Sequence, residues 1–175
     1  MLAEVPSSNE SSGRPAKGMV GEIDFEAKQR KFVSQEDQGL LDPIASWSDQ
    51  IALISADIVK TNDQSLEIDL NWQALERMAR SNKVFVHLAG TNGIGPVAQV
   101  DAVPRNWTYP TNWWEKGEIV TDTLNLPLDQ VEPGSYQLWL GLYDEETLER
   151  LPLDSSNAAD NPLYQNAIKL AELTL

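Results

Sequence analysis

The side chains best suited to chemistry are aromatic and lie close together in residues 106–122, which contain three of the six tryptophans of the chain. Flat aromatic rings stack on the faces of sugars and bury large areas at protein interfaces. The candidate ligand-binding residues are therefore Trp107, Tyr109, Trp113 and Trp114. Neighbouring side chains of an extended chain point to opposite sides, so we expect Trp114 to plug the end of the domain and Trp107 or Trp113 to be exposed.

Nucleophilic catalysis has little support in the sequence. His87 is the only histidine, and there is no cysteine. A serine nucleophile would need His87 as its base, and no Gly-x-Ser-x-Gly turn is present to hold such a serine. Because Val84, Val86 and Leu88 occupy the alternate positions of the same strand pattern, we interpret His87 as a half-buried residue bonded to a neighbouring backbone group or carboxylate.

Acidic side chains are abundant, with 27 Asp and Glu against 13 Lys and Arg. A glycosidase needs two of them facing each other across a cleft, so an acid-pair glycosidase stays open as one alternative. Residues 144–146 fall where a hairpin is expected, and we interpret this acidic triplet as a solvated turn. Calcium could bind there or at Asp154 with Asp160, but the sequence lacks the Asp-x-Asp-x-Asn-Gly loop of a calcium site. We therefore predict no metal site.

The formal net charge of -14 bears on the partners. Nucleic acids and anionic membranes are bound largely through Lys and Arg, so we expect neither as a partner. Without cysteine there are no disulfides, thiolate catalysis or cysteine-bound metals, and we expect no cofactor. No run approaches the roughly 18 apolar residues of a membrane span, so no direct membrane insertion is predicted. The abruptly polar start is nonetheless typical of a piece cut from a longer membrane protein.

The pattern of apolar residues divides the chain into a tail and one domain. Residues 1–21 contain few large apolar side chains and are predicted to form a flexible N-terminal tail. Residues 22–175 are predicted to form a single β-sandwich domain, because period-two alternation recurs along them. The clearest case is residues 66–72, where Leu, Ile, Leu and Trp alternate with polar residues, as is typical of a strand with one buried face.

About eight short strands separated by turns predict an all-β antiparallel sandwich, immunoglobulin-like or jelly-roll-like. The strands are expected at residues 51–60, 66–72, 83–88, 97–103, 118–126, 135–143, 148–153 and 167–175. The strand at 135–143 carries large residues on both faces, and we place it centrally in its sheet. Residues 90–95 are predicted to be a hairpin turn, residues 74–80 a two-turn helix, and residues 22–47 a wrapping segment that adds one strand. Trp72 and Trp139 are predicted to lie in the core.

An ordered set of short motifs resembles a known family over residues 50–153. The motifs are Leu70-Asn-Trp-Gln-Ala-Leu75, Val84-Phe-Val-His-Leu88, Ala98-Gln-Val-Asp101, Tyr109-Pro-Thr111, Trp114-Glu-Lys-Gly-Glu118, Asp122, Pro133-Gly-Ser-Tyr136, Gly141-Leu-Tyr-Asp144 and Glu149-Arg-Leu-Pro152. Together they are similar to the C-terminal, extracytoplasmic β-sandwich domain of bacterial membrane glycosyltransferases of the protein-mannosyltransferase type.

This resemblance implies an immunoglobulin-like or jelly-roll-like sandwich in the periplasm or at the cell surface, beside machinery that transfers sugar from a polyprenyl phosphate. It implies no catalytic residues, since the chemistry of such proteins resides in their membrane-embedded part. We therefore expect a non-catalytic accessory domain of the bacterial cell envelope that recognises a glycan or a partner protein through residues 107–114. The alternative is a purely structural domain that packs against a membrane glycosyltransferase.

Overall fold

Period-two burial organises the chain into nine strands within the residues that the structure describes. The computed structural model describes residues 29–34, 42–61, 64–91, 95–154 and 162–175, so the predicted tail at residues 1–21 lies outside these ranges. The strands are β1 (Lys31–Phe32), β2 (Ala45–Trp47), β3 (Ile51–Thr61), β4 (Ser65–Ala74), β5 (Asn82–Gly90), β6 (Pro96–Ala102), β7 (Glu118–Pro127), β8 (Ser135–Asp144) and β9 (Ala167–Thr174). One helical turn (Pro104–Trp107) and two 3-10 turns (Thr111–Trp113 and Pro162–Tyr164) join them. None of the helical segments in the described ranges is long or apolar enough to cross a bilayer.

The strands form two antiparallel sheets packed face to face. The first sheet has the order β1-β7-β4-β3-β2, and the second has the order β6-β5-β8-β9. The chain changes sheet after β4, after β6 and after β7. The set β3, β4 and β7 facing the set β6, β5, β8 and β9 in this order is typical of immunoglobulin-like sandwiches. The prediction of an antiparallel all-β sandwich is confirmed, and the strand order favours its immunoglobulin-like form.

Tyr136, the second residue of β8, fixes the connection that returns from β7 to the second sheet. Its phenol donates a hydrogen bond to the backbone carbonyl of Glu132, which lies upstream in that connection. A tyrosine at this place in the strand order is the tyrosine corner of immunoglobulin-like domains. The ring also lies close to Gly134, where an added Cβ would meet the phenol oxygen at 3.3 Å. The corner is a second, independent indication of immunoglobulin-like folding.

The core lies between the sheets and is built from the inward face of each long strand. In β4 the side chains of Leu66, Ile68, Leu70 and Trp72 are at most 2% exposed, and each such burial stabilises the fold by about 1.5–3 kcal/mol. β8 is an interior strand that buries residues on both faces, as predicted. Trp139 was predicted to lie in the core between the sheets. It points outward from β8 instead and belongs to a separate aromatic cluster on the outer face.

The predicted strand at residues 148–153 is wrong. Isolated bridges, such as that between Tyr143 and Arg150, replace a continuous ladder. Leu148 has a φ of 61°, and this left-handed conformation interrupts the extended backbone that a strand requires. The hairpin predicted at residues 90–95 agrees with the antiparallel pairing of β5 and β6, although residues 92–94 lie outside the described ranges.

The predicted helix at residues 74–80 is also wrong, and the segment is a bend. The backbone N–H groups of Leu75 and Glu76 both donate to the Gln50 carbonyl, at 2.8 and 3.2 Å. Met78 buries its side chain to 2% exposure. Helix propensity over two turns is too weak to oppose such tertiary contacts. Of residues 22–47, where we had expected one strand, the structure describes 29–34 and 42–47, and these contain two short edge strands, β1 and β2.

Candidate functional site

The connection from β6 to β7, residues 103–117, crosses one end of the sandwich from the second sheet to the first. It begins with the turn Pro104–Trp107, in which Arg105, Asn106 and Trp107 have φ values of 55°, 52° and 67°. A left-handed conformation costs a non-glycine residue roughly 1–2 kcal/mol. The turn is closed by a 2.9 Å hydrogen bond from the Trp107 N–H to the Val103 carbonyl. We call residues 105–107 the left-handed turn.

A buried carboxylate stabilises the left-handed turn from beneath. The Arg105 N–H donates to Asp122 Oδ1 at 2.6 Å, and the Asp122 side chain is 3% exposed. Among the described residues, Asp122 Oδ2 has no hydrogen-bond partner. Burial raises the pKa of Asp122, while hydrogen bonds from the Arg105 and Thr123 N–H groups and the Arg105 charge oppose that rise. Asp122 therefore orients the backbone that carries Trp107.

Trp107 projects from the left-handed turn with 55% of its surface exposed. The Lys83 ammonium lies 4.7 Å from the centroid of its ring, within the range of a cation–π contact. Lys83 also lies 3.5 Å from a carboxylate oxygen of Glu145. Trp107 is thus the exposed aromatic residue at the border of the second sheet.

Tyr109 has a structural role at the same end of the sandwich. Its phenol donates to Glu118 Oε1 at 2.9 Å, and Glu118 Oε2 accepts the Glu115 N–H at 3.0 Å. The Glu118 side chain is fully buried, and the Arg30 guanidinium lies 3.9 Å from it. Burial, followed by the hydrogen bond and charge of Glu118, raises the pKa of the Tyr109 phenol. The Tyr109 ring also packs against Trp113 and Trp114, with Arg105 at 4.7 Å, so the ring is not an open platform.

The Trp113 side chain points to solvent and the Trp114 side chain points into the domain, as predicted for adjacent residues. Trp114 is fully buried, stacks on Tyr109 with the ring centroids 6.4 Å apart, and donates its indole N–H to the Tyr109 carbonyl. The expectation that Trp114 plugs the end is confirmed. Trp113 is 57% exposed and meets Tyr109 edge-on. Trp107 and Trp113 are therefore the two predicted residues that a ligand can reach.

Thr111 ties the middle of this connection to the second sheet. Its hydroxyl accepts hydrogen bonds from the backbone N–H and the side-chain amide of Asn82, at 2.9 and 3.2 Å. Both residues are buried. The connection is thus held at the left-handed turn by Asp122, at Tyr109 by Glu118 and at Thr111 by β5, and these contacts anchor the backbone that carries the exposed rings.

The outer face of the second sheet carries a second cluster of aromatic and charged side chains, which sequence reasoning missed. Phe85 and His87 point outward from β5, since the alternate residues of that strand face the core. Their cross-strand partners on β6 and β8 also point outward: Phe85 pairs with Asp101 and Gly141, and His87 pairs with Trp139. The pairing brings together residues from three strands, β5, β6 and β8.

Close packing of rings gives this face its shape. The Phe85 ring lies over Gly141, where an added Cβ would be 2.5 Å from a ring atom. Tyr164 stacks on Trp139 with centroids 4.7 Å apart and ring planes 4° from parallel, and it meets His87 edge-on at 6.0 Å. Only glycine at position 141 allows the Phe85 ring to lie this low on the sheet.

A pocket of about 230 Å³ opens on this face, lined by Phe85, His87, Asp101, Tyr143, Leu148 and Arg150. His87 is half-buried, and its Nε2 lies 3.7 Å from Asp101 Oδ1, in agreement with the predicted carboxylate neighbour. The Tyr143 phenol donates to Asp101 Oδ2 at 3.4 Å. Burial, with smaller contributions from Asp101 and Glu145, raises the pKa of Tyr143 to about 12.

Arg150 closes one side of this pocket. Its guanidinium lies 4.8 Å from the centroid of Phe85. Nη1 donates to the backbone carbonyls of Leu163 and Gln165, at 2.8 and 3.1 Å. The cation is thereby fixed above the aromatic floor of the pocket.

The acidic turn at residues 144–146 is present where it was predicted. Asp144 Oδ1 accepts the N–H groups of Glu146 and Thr147 at 2.8 and 2.9 Å. The bond from Thr147, assisted by that from Glu146 and by the Arg80 charge, lowers the pKa of Asp144. The described residues contain no group of three or more acidic or histidine side chains arranged to hold a metal, and Asp160 lies outside them.

Comparisons with known proteins leave function to be argued from this geometry. No protein-family model matches the sequence, and a search of curated proteins finds no significant match.

Proposed function

We propose that the protein is a non-catalytic binding domain that recognises a glycan through the end of the sandwich that presents Trp107 and Trp113. The observation that carries this proposal is that the two rings are 55% and 57% exposed while the backbone beneath them is anchored. A ring held on a fixed backbone offers stacking area with little loss of conformational entropy on binding. Sugar rings have apolar faces that can stack on exposed indoles.

The buried carboxylates near this end favour binding over hydrolysis. Glu118 and Asp122 lie four residues apart on one face of β7, which is about 13 Å along a strand. The two carboxyl groups of a glycosidase lie roughly 5 to 10 Å apart across an open cleft. Glu118 accepts bonds from Tyr109 and Glu115, and Asp122 accepts one from Arg105. We assign both carboxylates to positioning the loop.

We further propose that the domain works outside the cytoplasm in the bacterial cell envelope. The support is the resemblance of the motifs in residues 50–153 to the extracytoplasmic domain of membrane glycosyltransferases. A glycan is the natural ligand in such a place, because the associated chemistry transfers sugar. A neutral glycan also avoids repulsion by a chain with a formal net charge of -14.

Titration with a panel of neutral oligosaccharides, followed by tryptophan fluorescence and calorimetry, tests the proposal. We expect at least one sugar to bind saturably, and Trp107→Ala and Trp113→Ala to weaken it by roughly tenfold or more. Val59→Ala is the matched control, since Val59 is 50% exposed and lies on the far part of β3. If no sugar binds, or if both tryptophan variants bind like wild type, the glycan proposal fails and the purely structural role is favoured.

A further inference from the structure

The proposed function involves the end of the sandwich and not the pocket on the outer face of the second sheet. Its volume is about 230 Å³, which is below the roughly 300 to 1,000 Å³ of sites for drug-sized ligands. It therefore has room for a ligand of the size of one sugar ring. The floor is aromatic, with Phe85 and His87 4.8 Å apart between ring centroids.

Asp101 is the hydrogen-bond acceptor of the pocket, and its carboxylate can accept more hydrogen bonds than it receives. The Tyr143 phenol reaches Oδ2 only at 3.4 Å, and His87 Nε2 lies 3.7 Å from Oδ1, both longer than an ordinary hydrogen bond. Oδ1 is buried and makes no hydrogen bond within the described residues. The Asp101 side chain as a whole is nonetheless 32% exposed, so a ligand hydroxyl in the pocket can donate to Oδ2, whose bond from Tyr143 is long.

Arg150 is the matching donor. Nη1 makes the two bonds to the carbonyls of Leu163 and Gln165, which hold the guanidinium in place. A guanidinium has five N–H donors in a fixed plane, and in the described part of the chain Nε and Nη2 make no hydrogen bond. The pocket thus presents a carboxylate and a guanidinium at fixed positions above aromatic rings.

The charges along this face cancel. Asp101 and Arg150 offset each other in the pocket, and Lys83 and Glu145 form an ion pair at 3.5 Å beside it. The face is therefore locally neutral on a protein whose formal net charge is -14. A neutral ligand with many hydroxyls both donates and accepts, and it suits this pair of groups better than an anion or a cation does.

Lys83 lies between the pocket and the exposed ring of Trp107. Lys83 contacts that ring and lies two residues before Phe85 on the same face of β5, which is about 7 Å along the strand. Lys83 also pairs across the sheet with Tyr143, which lines the pocket. We propose that the pocket is a second sugar-binding subsite, which holds a neutral ring of the same glycan chain that stacks on Trp107. This inference rests on the proposed glycan-binding function.

Nuclear magnetic resonance separates the two contacts, because the chain contains one histidine. The imidazole signal of His87 reports occupation of the pocket, and the indole N–H signal of Trp107 reports the platform. The uniformly labelled chain is titrated at constant pH with cellohexaose, mannohexaose and N-acetylchitohexaose. An anionic galacturonic acid hexamer and a cationic chitosan hexamer serve as charged probes. We expect a neutral hexamer to shift both signals along one saturation curve, and the charged probes to bind more weakly.

Asp101→Asn is the variant that tests the pocket, since it preserves shape and removes the charged acceptor. We expect about a tenfold loss of affinity for the neutral hexamer. Asp69→Asn is the matched control, because Asp69 also lies on a strand and accepts one hydroxyl hydrogen bond, from Thr123 at 2.6 Å, but on the first sheet. Tyr143→Phe is a second variant, which removes a donor to Asp101 and should change the affinity in the wild-type pocket but not when Asp101 is already Asn.

The outcomes distinguish this inference from the proposed function. If the hexamer shifts the Trp107 signal alone and Asp101→Asn binds like wild type, the second subsite is overturned and the tryptophan platform stands. If the His87 signal shifts and Asp101→Asn weakens binding while Trp107→Ala does not, the pocket binds sugar. The proposal that the same glycan chain also stacks on Trp107 is then overturned. Tighter binding of either charged probe overturns the assignment of a neutral ligand. If no probe shifts either signal, both proposals are overturned.

Discussion

The backbone N–H of Arg105 and the carboxylate of Asp122 are joined by a 2.6 Å hydrogen bond beneath the exposed end of the sandwich. Burial raises the pKa of Asp122 above its ordinary 3.8. The folded protein therefore binds a proton at Asp122 at a pH at which the unfolded chain has released it. The contribution of Asp122 to the free energy of unfolding must then fall as the pH rises from about 3.8 through the folded-state pKa.

Asp122→Asn should remove this pH dependence, because Asn keeps an oxygen for the Arg105 N–H and carries no charge. We expect the stability of the variant relative to wild type to increase as the pH rises from 3.8 towards neutrality. Urea denaturation of both proteins over this range measures the difference in their free energies of unfolding. The contributions of all other carboxylates are common to both proteins and cancel. A difference that does not change with pH would contradict the prediction.

Asp144 should show the opposite pH dependence. The N–H groups of Thr147 and Glu146 stabilise its charged form and lower its pKa. A lowered folded-state pKa contributes stability that is present above about 3.8 and is lost as the pH falls through the folded-state value. The advantage of wild type over Asp144→Asn in urea denaturation should therefore shrink on acidification below this range. An advantage that grows there would show that the turn does not stabilise the carboxylate.

Gly141→Ala should destabilise the protein, because the new Cβ would lie 2.5 Å from the Phe85 ring. Displacing a packed ring costs roughly 1–3 kcal/mol. Gly95→Ala is the control, since a Cβ there meets no described residue within 4 Å and should change stability by less than about 0.5 kcal/mol. Thermal denaturation measures both variants, and equal melting temperatures would mean that Phe85 can move at little cost.

Trp113 and Trp114 offer a comparison between neighbours in the sequence. Trp114 is fully buried and Trp113 is 57% exposed. Trp114→Ala should lower the free energy of unfolding by about 3–5 kcal/mol, whereas Trp113→Ala should change it by about 0.5 kcal/mol or less. Guanidinium denaturation provides the measurement. Similar losses in the two variants would show that Trp113 supports the fold rather than presenting a surface.

The fold could be predicted largely because burial alternates so regularly. Leu66 to Trp72 in β4 shows one buried face without interruption, and such a pattern admits few interpretations. The errors came where tertiary contacts override local pattern. Met78 is drawn into the core from a segment with helical composition, and Leu148 takes a left-handed φ inside an apolar stretch.

The candidate site was predictable only in part. Trp107 and Trp113 could be found because their type and clustering are visible in one stretch of sequence. The pocket could not, because it depends on the register that sets Phe85 opposite Asp101. One signal was present: Phe85 and His87 occupy the outward positions of β5, where small polar residues are expected if a face is only solvated.

The left-handed turn at residues 105–107 has a consequence for the kinetics of recognition. The free-energy cost of its unfavourable dihedral angles arises when the chain folds, so the Trp107 ring is already in position before a ligand arrives. A partner would then meet a surface that needs no rearrangement, and the rate of association would be governed by diffusion and collision geometry rather than by a conformational step.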